Sequence, residues 1–473
     1  MAARPGGSDG ARPGDEGVEA GILSCLQCGS CAASCPVQAV DPSFNVRHLL
    51  RSIQLDRLDG SSREDIWACA QCMQCTALCP QGVRPDEAIL QLRRGAARLG
   101  EAPPQVEAAV RNVLRWRRPL PLSANLLTSW AQGLSLPTRG DTLFLAGLYP
   151  YMPYVERLFR SFEQLPSHRV GRLGRALSFL YPALQRLLPR IIGRLARIDA
   201  RPYHDALRGA VLGLEAVGVK VAYLYEAEPW CGIELHTYGY EDAFATHARQ
   251  VRDALRKTGV REIVTPDVLT ASCLELFYPE VGADLGLPVR HLSEVIAERI
   301  GRTKGRWRAG ERRIVTTFSD PCYLARRLQV VEAPRRIFER IEKLDLREAR
   351  RHGLQTRCVC GGGSELARPE NVSKMADLRM TELISDTGAE RIVTSCPVCV
   401  MMLRLAGERL GYPGSVQDLG QLLLEVLPEK SAWPPTGAKG RGGSAESGPP
   451  GQRRRDASGW PSRPPADPRR GSP

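Results

Sequence analysis

No run of about 18 apolar residues occurs in this 473-residue chain, so nothing in it reads as a membrane-spanning helix. The opening stretch MAARPGGSDGARPGDEGVEA has no apolar segment of the kind a secretory signal needs. Fifteen cysteines are also an odd number for a disulfide framework. A reducing, cytoplasmic compartment is therefore expected, in which thiols bind metals or do chemistry. Neither a Rossmann glycine fingerprint nor a Walker motif is present, so no nucleotide site is predicted. Histidine is scarce, seven in all, and His236, His247 and His291 have no partner at ligand spacing; they are expected to be surface or core residues.

A net charge of +13 ordinarily points to nucleic acid or an anionic membrane, but here it is concentrated in two stretches. Residues 155–201 hold ten arginines against three acids, and residues 431–473 hold eight basic residues against three acidic ones. The cysteine-bearing body is close to neutral, so no nucleic acid is expected as a partner. The stretch RALSFLYPALQRLLPRIIGRLARI (175–198) has two readings. One is an amphipathic segment making peripheral contact with an anionic membrane face or docking on a partner subunit. The other is a surface helical pair with a solvated arginine face.

Length alone predicts two or three domains. Residues 1–20 and 431–473 are rich in Gly, Pro, Ser and Arg and read as disordered tails. From 21 to 100, cysteine clusters alternate with short helical stretches, which implies a small, mostly α-helical module. Residues 101–140 read as a linker. From 141 onward, β-rich runs are followed by amphipathic helices, the pattern of α/β domains with a largely parallel sheet.

That second part contains a repeat. TGVREIVTPDVLT (258–270) aligns without gaps on TGAERIVTSCPVC (387–399), so Asp267 takes the place of Cys396 and Thr270 that of Cys399. Trp230-Cys231-Gly232 likewise matches Val359-Cys360-Gly361. The chain is thus expected to carry one fold unit twice, over 141–300 and 301–430, with the basic insert in the first copy.

CLQCGSCAASCP contributes Cys25, Cys28, Cys31 and Cys35 in the spacing C-x2-C-x2-C-x3-C-P, and CAQCMQCTALCP repeats it with Cys69, Cys72, Cys75 and Cys79. Three thiolates on one tight loop can cap three irons of a cubane, while the fourth reaches the other cluster. The expected sets are Cys25, Cys28, Cys31 with Cys79, and Cys69, Cys72, Cys75 with Cys35. Paired zinc knuckles explain neither the third cysteine nor the proline. Five further cysteines remain: Cys322 after the strand-like RRIVTTF, Cys358 and Cys360 in RCVCGGGS, and Cys396 and Cys399 after RIVT. Strand carboxyl ends are where a parallel sheet gathers its site residues, so these five are the candidate ligands of a third centre. Side chains at i and i+2 share a face in extended chain, so Cys358 and Cys360 are expected to converge. Cys273 lies outside the motif and reads as a core thiol.

These motifs resemble the heterodisulfide reductase family. The twin-cluster module looks like its C subunit and the duplicated α/β unit like its B subunit with cysteine-rich CCG domains; the D-type subunit fuses the two in this order. The resemblance covers roughly residues 20–430 and implies a multidomain fold, an α-helical dicluster ferredoxin module followed by α/β CCG pseudo-repeat domains. It further implies that the second repeat holds a third 4Fe-4S cluster, of non-cubane type, at which thiol/disulfide redox takes place. Cys322, Cys360, Cys396 and Cys399 match the family positions, but Val359 stands where the first cysteine of the adjacent pair belongs, with Cys358 one residue away. In the first repeat Cys231 alone matches; Leu148, Trp230, Asp267 and Thr270 hold the other positions.

Three readings of function follow. The first is an iron-sulfur subunit of a heterodisulfide-reductase-like complex, working with flavin or iron-sulfur partner subunits on a small-molecule thiol or disulfide. The second is a non-catalytic relay subunit, similar to those of 2-hydroxyacid or glycerol-3-phosphate dehydrogenase complexes, which the valine and the basic insert favour. The third is a zinc-stabilised interaction protein that uses its basic tails to bind nucleic acid; separately, zinc is the alternative occupant of the third site.

Overall fold

In the computed structural model the described residues are 21–55, 57, 65–163, 198–302 and 307–427. The tails 1–20 and 431–473, and 164–197 of the basic insert, lie outside them. The two cysteine loops open the fold. Each is followed by a short helix, α1 (Ser30–Ser34) after the first and, beyond α2 (Val46–Gln54), α3 (Gln74–Ala77) after the second. Helix α2 starts where the Asn45 side chain accepts from the His48 N–H, and it buries Val46, Leu49 and Leu50. Helix α4 (Pro85–Leu99) has Pro85 and two acids in its first turn and ends on Gly100, the usual chemistry of both helix ends. The stretch read as a linker carries α5 (Pro104–Trp116), which buries Val106, Val110 and Val113 along one face.

Two four-stranded sheets follow, every pair in them parallel. β1 (Thr142–Phe144), β2 (Val221–Tyr223), β3 (Glu262–Thr265) and β4 (Val289–His291) form the first, in the order β2-β1-β3-β4. A two-stranded pair of β5 (Trp307–Arg308) with β7 (Ile341–Glu342) is also present. The second sheet has β6 (Ile314–Phe318), β8 (Leu344–Leu346), β9 (Arg391–Thr394) and β10 (Ser415–Asp418) in the order β10-β9-β6-β8. In both sheets the strand of the gapless sequence match, β3 or β9, is an inner one. The Ile-Val cores of these two strands are fully buried, as strands covered on both faces must be.

Helices α6 (Arg201–Ala216), α7 (Glu241–Arg256) and α8 (Val268–Ser272) belong to the first half. Helices α9 (Pro369–Thr387), α10 (Pro397–Leu410) and α11 (Leu419–Val426) belong to the second. The halves are joined through α6 and α11 at backbone contact. A Cβ on Gly209 would overlap the Gly420 carbonyl oxygen, and one on Gly420 would overlap that of Ala206. Beside this crossing the Tyr149 hydroxyl donates to Asp418 Oδ2 at 2.7 Å. All described residues lie in one compact unit. Among them, no helix is long and apolar enough to cross a membrane.

Alanine favours a helix interior over glycine by roughly 1 kcal/mol. Gly209→Ala and Gly420→Ala are nonetheless expected to destabilise by about 1–3 kcal/mol, because the crossing helices must separate. Denaturant unfolding measures this, and a stabilised Gly420→Ala protein would show that the helices are not in backbone contact.

Candidate metal centres

The two cysteine loops share one backbone form. Gln27 and Gly29 in the first, and Gln71 and Met73 in the second, have positive φ at matching positions between the cysteines. Left-handed residues set between right-handed or extended ones turn successive N–H groups inward, a concavity suited to anions. Three of the four are not glycine, so the loops are held in this form against local preference. Gln27 Nε2 lies 3.6 Å from Cys25 Sγ, and the Gln71 N–H lies 3.4 Å from Cys69 Sγ.

Cys25, Cys28, Cys31 and Cys79 line one small recess together with Arg47 and Pro80. Cys28 and Arg47 on its rim are exposed. Cys35, Cys69, Cys72 and Cys75 are buried. Burial pushes the Cys35 and Cys75 thiols up, and the repulsion that adds to this comes from the other members of the group, besides Asp86 at Cys75. Burial also lifts Cys69, to about 11, against the pull of Arg93. The expected sets, each of three cysteines from one loop and the fourth from the other, are therefore neighbours in space.

The second half presents its cysteines at strand carboxyl ends. Cys322 follows β6, Cys396 is the cap of α10 after β9, and Cys399 lies in the first turn of α10. Cys358 and Cys360 arrive on the loop before the three glycines. Cys399 is pushed up by its hydrogen bond to Cys396, by burial and by the nearness of Cys360 and Cys322. Cys358 departs from the expected convergence. Its sulfur lies 3.6 Å from Cys322 Sγ and 2.9 Å from the Cys360 carbonyl oxygen. The nearby Cys358 thiol also holds Cys72 of the N-terminal module below the ordinary thiol range, with help from Arg326 and against burial. Val359 turns into the apolar core, 2% exposed. Moving the cysteine by one residue thus aims it at the junction between the two cysteine groups.

The junction is built by glycines and arginines. Gly361, Gly362 and Gly363 all have positive φ, and a Cβ on Gly362 would lie 2.6 Å from the Ala70 carbonyl carbon and oxygen. Arg93 of α4 is fully buried. Its Nε donates to the Ile66 oxygen, Nη2 to that of Cys69, and Nη1 to those of Thr237 and Gly362. Arg326 donates from Nε to the Cys72 oxygen at 2.6 Å. Arg327 pairs with Asp86 at 3.1 Å, and Arg368 bridges Asp41 and Asp65. Beside the junction, a cleft of about 590 Å³ is lined by Ser30, Ser34 and Gln74 together with Arg350, Glu382 and Asp386. None of these arginines is singled out by the sequence, since surface and buried arginines look alike in a chain this rich in them.

The corresponding place in the first repeat is filled. Asp267 Oδ2 accepts from the Leu148 N–H at 3.0 Å and the Thr270 hydroxyl at 2.7 Å, while Oδ1 accepts from the Leu269 N–H. The Thr270 hydroxyl lies 3.8 Å from Cys231 Sγ. The residues at four former ligand positions thus satisfy one another, and Asp267 has a structural role that its place in the repeat did not reveal. Glu228 extends the network by accepting from the Gly147 N–H at 2.8 Å. Burial pushes its carboxyl up to about 7. Cys273 and Tyr278 bond to the Cys231 carbonyl, so Cys273 is a core thiol here. His247 and His291 are buried and hydrogen-bonded to the Trp230 and Pro266 carbonyls. His236 is buried against Phe277, with Nδ1 making no hydrogen bond among the described residues. Among those residues, no three His, Cys, Asp or Glu side chains are grouped as holders of a single metal ion.

Residues 21–83 match the 4Fe-4S dicluster domain family, and residues 316–404 match the cysteine-rich domain (CCG) family. The chain is 25% identical to a "Probable membrane-anchored ferredoxin" of Chromohalobacter salexigens, over 86% of this chain and 60% of that protein. It is 27% identical to the D subunit of the dihydromethanophenazine:CoB–CoM heterodisulfide reductase of Methanosarcina barkeri, over 45% of this chain and 53% of the relative. With the B subunit of the fumarate reductase (CoM/CoB) of Methanothermobacter marburgensis the identity is 23%, over 86% and 72%. The chain spans little more than half the length of the first two. It carries a dicluster domain followed by a CCG domain and is homologous to these redox proteins.

Two outcomes follow from the junction and the filled pocket. Gly362→Ala should cost about 1–3 kcal/mol and speed hydrogen exchange at residues 69–71, because its Cβ meets the Ala70 backbone. Gly100→Ala, with φ of +70° and nothing within 4 Å, is the control for backbone strain alone; equal effects would show that the contact is unimportant. Glu228 keeps its proton to about pH 7 in the folded chain, whereas an ordinary glutamate loses it near 4.5, so its contribution makes stability fall as pH rises between those values. Glu228→Gln should flatten that fall, as read by urea midpoints across the interval; an unchanged slope would refute the shift.

Proposed function

We propose that this chain is the iron-sulfur electron-transfer subunit of a heterodisulfide-reductase-like oxidoreductase complex. The observation that carries this reading is the junction itself: Arg326, just after Cys322, donates to the Cys72 carbonyl at 2.6 Å, and Cys322 Sγ lies 3.6 Å from Cys358 Sγ, which sets the cysteines of the N-terminal module beside those at the sheet ends. On this reading Cys25, Cys28, Cys31 and Cys79 hold one 4Fe-4S cluster, and Cys69, Cys72, Cys75 and Cys35 hold a second. Cys322, Cys360, Cys396 and Cys399, with Cys358 beside them, hold a third. The all-thiol donor sets, on loops whose N–H groups turn inward, suit such groups. When bound, the first two supply one-electron transfer and the third supplies exchange with a thiol/disulfide couple, in which one disulfide takes up two electrons and two protons to give two thiols.

The chain's own residues position and insulate these sites. The left-handed loop residues hold the N–H groups toward the thiols, and the glycine loop lets the two halves approach. The buried arginines tie the cysteine carbonyls across the junction. A flavin or iron-sulfur partner would approach on the exposed Cys28 side, while Cys72 and Cys358 stay enclosed. We place the complex in the cytoplasm, with the basic insert 155–201 as its contact to a partner or to an anionic membrane face.

A second reading is favoured by Val359. Its burial in the core removes one of the family's adjacent cysteines from the third site. A relay subunit without a substrate of its own, in a 2-hydroxyacid or glycerol-3-phosphate dehydrogenase-type complex, needs no such pair.

An iron and zinc count on anaerobically reconstituted protein, with electron paramagnetic resonance in reduced and thiol-oxidised states, separates the two. About twelve irons and a distinct oxidised-state signal support the catalytic third site. About eight irons, with or without zinc, leave a relay, and stoichiometric zinc in colourless protein overturns both.

A further inference from the structure

Among the described residues, Arg326 combines a buried N–H without a partner with the lack of a carboxylate partner; Arg327 and Arg391 also hold unpartnered N–H groups, but they pair with Asp86 and Glu425. Arg326 lies on a wide π-helical turn, Tyr323–Arg327, immediately after Cys322. Such turns shift side chains off the regular helical face and recur at functional sites. The side chain enters the junction and is 4% exposed. Nε donates to the Cys72 oxygen at 2.6 Å, and Nη1 to the oxygens of Leu354 and Thr356 at 2.9 and 2.7 Å. Nη2 is buried with no hydrogen-bond partner among the described residues. Its neighbours Arg327 and Arg335 have carboxylate partners, Asp86 for one and Asp320 with Glu348 for the other. For Arg326 the described residues provide none.

A buried guanidinium without a counter-ion costs several kcal/mol, and an orphaned donor adds about 1–3 kcal/mol. The guanidinium bridges the two cysteine groups: its Nε reaches the Cys72 carbonyl, and its own turn begins directly after Cys322. The charge and the free N–H therefore call for an anionic group with acceptor sulfur between those two cysteines, a description that an iron-sulfur cluster held by either one meets.

We propose that Arg326 sets the reduction potential at the junction: its free Nη2–H donates to sulfur of the cluster held by Cys72 or Cys322, and its charge raises that centre's potential above the potential at the Cys25–Cys79 recess. This rests on the proposed cluster assignment. Burial by itself disfavours added negative charge and would leave the junction harder to reduce than the exposed recess. The cation reverses that order, since Coulomb attraction is strongest where water is excluded. At the recess the nearest counterpart, Arg47, is exposed and screened. Electrons entering at Cys28 would then settle inward.

The test is a redox titration monitored by electron paramagnetic resonance on reconstituted wild-type, Arg326→Gln and Arg326→Lys proteins, with iron counts for each. At fixed ambient potential, Arg326→Gln should lower the ratio of reduced junction centre to reduced recess centre at least tenfold, about 59 mV for a one-electron couple. Arg326→Lys should restore most of it. An unchanged ratio in Arg326→Gln, or equal shifts at both centres, overturns the proposal. Should Arg326→Gln fail to load iron, pulsed resonance on wild type carrying 15N-arginine decides: a guanidinium nitrogen coupled to a reduced centre supports the hydrogen bond, and no coupling in loaded protein overturns it. Wild-type protein that binds no iron would instead overturn the cluster assignment beneath it.

Discussion

The packing that brings the cysteine groups together centres on the buried Arg93. Its guanidinium donates to four backbone carbonyls, on Ile66, Cys69, Thr237 and Gly362, and stacks over Trp67 with 5.3 Å from its central carbon to the ring centroid. These four come from the N-terminal module, the first α/β half and the glycine loop of the second. A planar, permanently charged fork with five N–H groups can serve so many acceptors at once, and no other side chain can. Removing it would strand several buried carbonyls, each at about 1–3 kcal/mol. The clamp leaves no room between the Cys69 loop and the glycine loop, so Gly362 meets Ala70 at a distance that excludes a β-carbon. The small, locally strained loops could not hold this arrangement alone.

The duplicated half shows how one scaffold separates stability from chemistry. Both copies keep the four-stranded parallel sheet, the buried β3 or β9 strand and the helix beginning just beyond it. In the first copy the former site is closed by its own hydrogen bonds, with Asp267 holding Leu148, Leu269 and Thr270. A carboxylate there is tolerable because backbone and hydroxyl donors surround it; in the second copy the same place presents the thiols Cys396 and Cys399. The first copy contributes structure instead, through Gly209 against Gly420 and through Tyr149 on Asp418.

The displaced cysteine gains its meaning from this packing. Cys358 does not substitute for the thiol missing at Val359. It turns to Cys322, and Arg326 ties the same place to the Cys72 carbonyl, so the junction concentrates polarizable sulfur and positive charge at one buried point. Low dielectric makes both count for more there than at the solvent-facing recess.

The primary sequence by itself determined what is local. Cysteines two and three residues apart share a loop whatever surrounds them, so the two four-cysteine motifs were legible from spacing, and the gapless repeat located β3 and β9 to the residue. The strand-end position of Cys322, Cys396 and Cys399 followed from the same periodicity. Tertiary structure alone decided which thiol faces which, that Cys358 turns to Cys322, and that Arg93 and Arg326 are the arginines drawn into the junction. Those contacts join residues 269 and 254 positions apart. A hydrogen bond across such a separation leaves no mark on its neighbours in the chain, because it depends on where two distant segments meet. The filled first site was half visible for the same reason: the lost cysteines could be read, but the Asp267 network that replaced them forms only when residues 148, 231, 267 and 270 are folded together.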